Sequence, residues 1–119
     1  MGPTETVREA TLVEKVVLLG LVCRTVEGRT PTRLDEIRTV CNERLDVLTG
    51  RLSEADTCRA LNALAETDLV EERVPSDRSP AGKGRLSYEL CWDVDETLSV
   101  LADDRHLRPV VEAFDAVST

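Results

Sequence analysis

Two short stretches of this chain carry residue types that can hold an anion. The first is Arg78 to Arg85, where Lys83-Gly84-Arg85 forms a locally basic loop tip in an acidic chain. Arginine can enter a narrow minor groove, where the potential is most negative, and Gly82 and Gly84 allow close backbone approach to phosphates. The plainer account is that a glycine-rich loop carries charge for solubility. The second stretch runs from Arg51 to Asn62. Arg51 and Arg59 suit phosphate, or guanine through a bidentate pair worth ~1–3 kcal/mol of discrimination. Each also lies within helical reach of Glu54, Asp56 or Glu66, and such surface pairs contribute ~0–1 kcal/mol. Ser53 and Thr49 can bond a phosphate near a helix start, while the plainer role for Ser53 is an N-cap. Thr57 and Asn62 complete the set, with Asn62 close to the buried face of its segment.

Other chemistries are poorly served. His106 is the single histidine and has no Cys or His at ligand spacing, so it reads as a surface residue near a helix end. Cys23, Cys41, Cys58 and Cys91 are far apart and form no C-x-x-C pair, the arrangement zinc sites favour. Each falls on an apolar position of its segment, where cysteine acts as a small hydrophobe. All four are expected in the core, reduced and free of metal. No Ser or Cys neighbours the histidine, and no pair of carboxylates is singled out for acid–base work. The chain is expected to hold no cofactor and to catalyse no reaction.

The elements that must position the basic stretches follow from the apolar spacing. Leu12, Val16, Leu19, Cys23 and Val26 keep a helical period, widened by Val13, Val17 and Leu21, so the first helix is central. Gly28 is its C-terminal cap. Thr30-Pro31-Thr32, with Asp35 and Glu36 behind it, signals the start of a second helix that runs through Leu34, Ile37, Cys41, Leu45 and Leu48. Thr49-Gly50 is a turn. Ser53 opens a third helix with Cys58, Leu61, Leu64 and Ala65 on its buried face, ending near Thr67-Asp68. Leu69 to Val74 reads as a strand, Pro75 to Gly84 as a long loop, and Leu86 to Trp92 as a strand with Leu86, Tyr88, Leu90 and Trp92 on its core face. Asp95 caps a fourth helical stretch that Asp103-Asp104 breaks. Pro109 starts a last helix with Val110, Phe114 and Val117 on one face.

Composition bounds the possibilities. The 119 residues suffice for one domain, with 41% apolar and 32% charged residues, a balance suited to a soluble chain. The apolar run Val16–Cys23 is about a third of a membrane span, and MGPTETVREA lacks the apolar core of a secretory signal. A cytoplasmic location is expected. The 23 acidic residues outnumber the 15 basic ones, for a net charge of −8, and 13 of the basic residues are Arg. An acidic, lysine-poor surface fits a cytoplasm of molar salt, where the Debye length is about 3 Å; an ordinary acidic protein is the alternative. Net negative charge argues against nucleic acid as a partner, and molar salt weakens that argument.

Helix, helix, helix, strand, long basic loop, strand and helices is the order of a winged helix-turn-helix: mainly α, with a β-hairpin wing. Residues 1–11 are then an N-terminal extension, 12–94 the domain and 95–119 a C-terminal helical extension. Within 12–101, three blocks resemble the C-terminal winged-helix domain of the archaeal origin recognition and cell division control ATPases. They are Val16-Val17-Leu18-Leu19-Gly20-Leu21; Leu52-Ser53 followed by Leu61-Asn62-Ala63-Leu64 and Asp68-Leu69-Val70; and Gly82-Lys83-Gly84-Arg85 followed by Tyr88-Glu89-Leu90. The resemblance implies binding of double-stranded origin DNA, with the third helix in the major groove and the wing in the minor groove. It also implies an N-terminal ATPase domain as partner. No phosphate loop is present here, since Asp77 stands where its first Gly belongs and Gly84 where Ser or Thr belongs. Glu54-Ala55-Asp56 departs from the family, which places basic or amide side chains in that turn. The alternatives are a stand-alone winged-helix regulator, dimeric through its first and last helices, and a winged-helix module that binds protein.

Overall fold

The computed structural model describes residues 2–73 and 86–118, with side chains described as far as residue 113. It is mainly helical with one small antiparallel sheet. The centre is α2 (Leu12–Val26), in which every residue from Val16 to Cys23 is buried. Thr11 caps it: the Thr11 hydroxyl accepts the Glu14 amide, and the Glu14 carboxylate accepts the Thr11 amide. Its end is a Schellman turn, with Arg29 N–H on the Arg24 carbonyl and Gly28 N–H on that of Thr25. Gly28 there has φ +72°, the left-handed region in which glycine carries no Cβ penalty.

α3 (Leu34–Arg44), α5 (Glu54–Ala65) and α6 (Val94–Leu101) pack around α2. Gly20 lets α3 approach closely: a Cβ built there would sit 2.8 Å from the Cys41 sulfur. Three short strands close the remaining side. β1 (Thr32–Arg33) and β2 (Val70–Arg73) both pair antiparallel with β3 (Ser87–Leu90), giving the order β1-β3-β2. Tyr88 of β3 is buried against α2 and its neighbours.

Several expectations need correction. Thr32–Arg33 is a strand rather than the first turn of a helix, because both residues pair with β3; Thr32 lies opposite Tyr88. The second helix then starts at Leu34 and breaks at Leu45, whose φ/ψ of −121°/9° leave the helical region. Burial of Leu45 accompanies the break, and a single turn, α4 (Asp46–Thr49), follows. The helix cap before α6 is Asp93, whose carboxylate accepts the Glu96 amide, and not Asp95.

The two expected extensions are structured. α1 (Pro3–Glu9) packs on α6 and sends Val7 fully into the core. α7 (Arg108–Ser118) follows α6, and Leu107 and Val111 complete the same core as Leu98 and Leu101. Val111, rather than Val110, is the buried valine of α7. Phe114 and Val117 have side chains outside the described residues.

The cysteines divide. Cys23 and Cys41 are buried, and burial pushes their thiols up to about 11 and about 12 respectively. Cys58 is half-buried and Cys91 exposed. Cys91 follows β3 on the side opposite its core-facing residues, which is why an apolar position did not bury it. Among the described residues, no helix is long and apolar enough to cross a membrane, and no group of three His, Cys, Asp or Glu is placed to hold a metal.

Candidate functional site

α5 lies with one side on α2 and the other to solvent. Thr57, Ala60, Leu61 and Leu64 are its buried residues, at helical spacing. Ser53 caps its start, its hydroxyl accepting the Asp56 amide at 3.0 Å. A substitution by alanine would cost about 0.5–2 kcal/mol. The outer face carries Glu54, Arg59, Asn62 and Glu66, all exposed.

The segment before α5 is held by a clamp that no local sequence signal marks. Asn42 of α3 accepts the Leu52 amide at 2.7 Å and donates to the Leu52 carbonyl at 3.2 Å. Arg38 donates its Nε to the same carbonyl at 3.1 Å. Both backbone groups of Leu52 are thereby satisfied by side chains of α3, and its own side chain is buried. This fixes how α5 is presented relative to α3.

The candidate residues separate on this frame. Arg59 is open, with 79% of its side chain exposed and a loose 3.9 Å pair to Asp56. Such a pair contributes little and leaves the guanidinium available. Asn62 is exposed, and its amide donates to the Cys58 sulfur at 3.7 Å, so it stands clear of the buried face. Arg51 is exposed at the mouth of α5. Thr57 must be removed from the set: it is fully buried and its hydroxyl donates to the Ser53 carbonyl at 2.9 Å. It tightens the first turn and has no surface to offer. Arg78, Lys83, Gly84 and Arg85 lie outside the described residues.

Around this face run two clefts. The larger, about 480 Å³, lies between the starts of α3 and α5 and strand β3, with Arg33 and Arg38 beside Leu34, Leu86 and Tyr88. Asp35 and Glu54 supply opposing charge on its rim. The Tyr88 phenol is pushed above its usual range by burial and then by Glu72, so it is neutral there. The second cleft, about 300 Å³, is bordered by Arg38, Arg51, Asn42, Thr39 and Glu43. Arg38 lines both. It was not recognisable from sequence, because what orients it is a carbonyl on another segment.

Behind α3, Glu36 joins three elements. Its carboxylate accepts the Arg33 amide at 2.9 Å and the Arg24 guanidinium at 3.2 Å, with the Thr32 hydroxyl at 3.4 Å. The Arg33 amide above all, then Arg24, holds the carboxyl below its ordinary value despite partial burial. The group is thus an anion at neutral pH that ties α2, β1 and α3 together. The geometry offers cations and amides on a braced helix face.

No family model, no curated protein and no solved structure matches this chain.

Proposed function

We propose that this chain is a winged helix-turn-helix domain that binds double-stranded DNA, with α5 entering the major groove and the β2–β3 connection reaching the minor groove. The observation that carries this reading is the outer face of α5. It presents Arg59 and Asn62 to solvent behind Arg51, and α3 braces its start through Asn42 and Arg38. Arg and Asn are the side chains that pair bidentately with guanine and adenine edges. The order α2-β1-α3-α5-β2-β3, with β1-β3-β2 as the sheet, supports the winged arrangement. Arg78, Lys83, Gly84 and Arg85 would be the wing contacts.

The finer reading is the DNA-binding domain of an archaeal replication initiator working beside an ATPase domain. It is supported by the three sequence blocks and by the acidic, arginine-rich composition that suits molar salt. Fluorescence anisotropy tests it, with one labelled duplex carrying an archaeal origin repeat and one scrambled, each in low and in molar KCl. Preference for the repeat that survives molar salt is the expected result. Binding to both duplexes alike would leave a DNA-binding domain and remove the initiator.

A second reading is a winged module that binds protein. It is favoured by Glu54 and Asp56, which place two carboxylates in the first turn of α5 where phosphate would lie. Absence of binding to either duplex at either salt would select it.

A further inference from the structure

Of the twelve Lys and Arg among the described residues, seven lie near a carboxylate. Arg8, Lys15, Arg24, Arg33, Arg44, Arg59 and Arg73 each lie within 4 Å of an Asp or Glu oxygen. Arg29, Arg38, Arg51, Arg105 and Arg108 have no carboxylate within that distance among the described residues. Of these, Arg38 and Arg51 border the same cleft at the α3–α5 junction, with Glu43 on its rim. Two such arginines on one cleft, in a chain of net charge −8, are charge-complementary to an anion.

The two are held differently. Arg38 is half-buried and anchored through Nε to the Leu52 carbonyl, so its terminal nitrogens are oriented before any partner arrives. Asn42 fixes that same carbonyl. Arg51 is exposed and makes no side-chain hydrogen bond among the described residues. A fixed guanidinium beside a free one can grip a phosphate without large ordering cost for the first. In a helix-turn-helix the first helix of the pair crosses the DNA backbone, and Arg38 is on that helix.

We infer that Arg38 and Arg51 form a clamp for a phosphodiester of duplex DNA, which sets the register of α5 and reads no base. This rests on the DNA-binding reading above. Glu43, on the rim of the same cleft, opposes the phosphate and weakens the grip.

The test is a salt titration of duplex binding by the full chain, comparing wild type with Arg38→Gln, Arg51→Gln and Glu43→Gln. Each arginine lost should lower the slope of log K against log [salt] by about 0.9, equally on origin-repeat and scrambled duplexes. Glu43→Gln should tighten binding to both. Arg51→Gln keeps the experiment decisive if Arg38→Gln disturbs the fold, since the Arg51 side chain is exposed and bonds to none of the described residues. An unchanged slope for Arg51→Gln, in a wild type that binds duplex, overturns the clamp and leaves DNA binding intact. Loss confined to one duplex overturns it too, because the arginines would then be base readers. A wild type that binds neither duplex defeats the DNA reading, and the clamp falls with it.

Discussion

Charge is used in opposite ways at the two ends of this molecule. Where α2 meets the end of α6, Lys15 and Asp104 form an ion pair at 3.0 Å with side chains only 13% and 17% exposed. Burial opposes ionisation of Asp104, but the His106 amide and the Lys15 ammonium outweigh it and hold the carboxyl below its ordinary value. At the α3–α5 junction, Arg38 and Arg51 border an open cleft and have no ion-paired carboxylate among the described residues. The first arrangement neutralises charge to join elements. The second leaves charge without a counter-charge, although Arg38 also braces the Leu52 carbonyl, and suits a partner. The comparison implies that damage at one end reads out as stability and at the other as binding.

The largest effect belongs to the core that both ends share. Leu19 is fully buried in α2, and Leu19→Ala should destabilise by about 2–5 kcal/mol in denaturant unfolding. Any binding loss should disappear once the folded fraction is corrected for. Gly20→Ala should cost about 1–3 kcal/mol through overpacking against the Cys41 sulfur, and adding Cys41→Ala should recover part of that in a double-mutant cycle.

Lys15→Met sharpens the contrast. It leaves Asp104 partly buried without its cation and should cost about 1.5–3 kcal/mol at neutral pH, with duplex binding unaltered. The sign with pH follows from the depressed carboxyls of Asp104 and Glu36. Their contribution is full above their ordinary values of 3.8 and 4.5 and is lost as pH falls through their lower folded values. Thermal unfolding between pH 6 and pH 2 should therefore show a steeper acid loss in wild type than in Lys15→Met. Parallel curves would show that the pair does not join the elements as described.

The smallest stability effect is expected at Arg59. Its side chain is mostly in solvent, so Arg59→Ala should change stability by less than about 0.5 kcal/mol. On duplex panels it should relax sequence preference. A uniform loss of affinity instead would make Arg59 a phosphate contact and move the boundary between clamp and reader.

The elements that were legible in sequence are those decided locally. α2 announces itself by an apolar stripe and a terminal glycine, and α5 by Ser53 and its spacing. β1 was hidden because Thr30-Pro31-Thr32 also satisfies helix-start chemistry, and only pairing with Tyr88 and Ser87, far along the chain, makes it a strand. α1 was hidden because a seven-residue helix with one buried side chain, Val7, carries too little period to detect. Of the candidate site, Arg51 and Arg59 are exposed as their types suggested, and Asn62, expected close to the buried face, is exposed as well. Thr57 failed because the same hydroxyl that could meet phosphate closes its own helix turn. Arg38 was missed because the atom that orients it lies 14 residues away.

The claim that the α3–α5 face meets duplex DNA is tested most directly by titrating a short duplex into isotope-labelled full chain and following the NMR resonances. The account predicts the largest shifts at Arg38, Arg51, Arg59 and Asn62, with the Lys15–Asp104 end unmoved. Shifts concentrated on α1, α6 or α7, or none at saturating duplex in low salt, would contradict it.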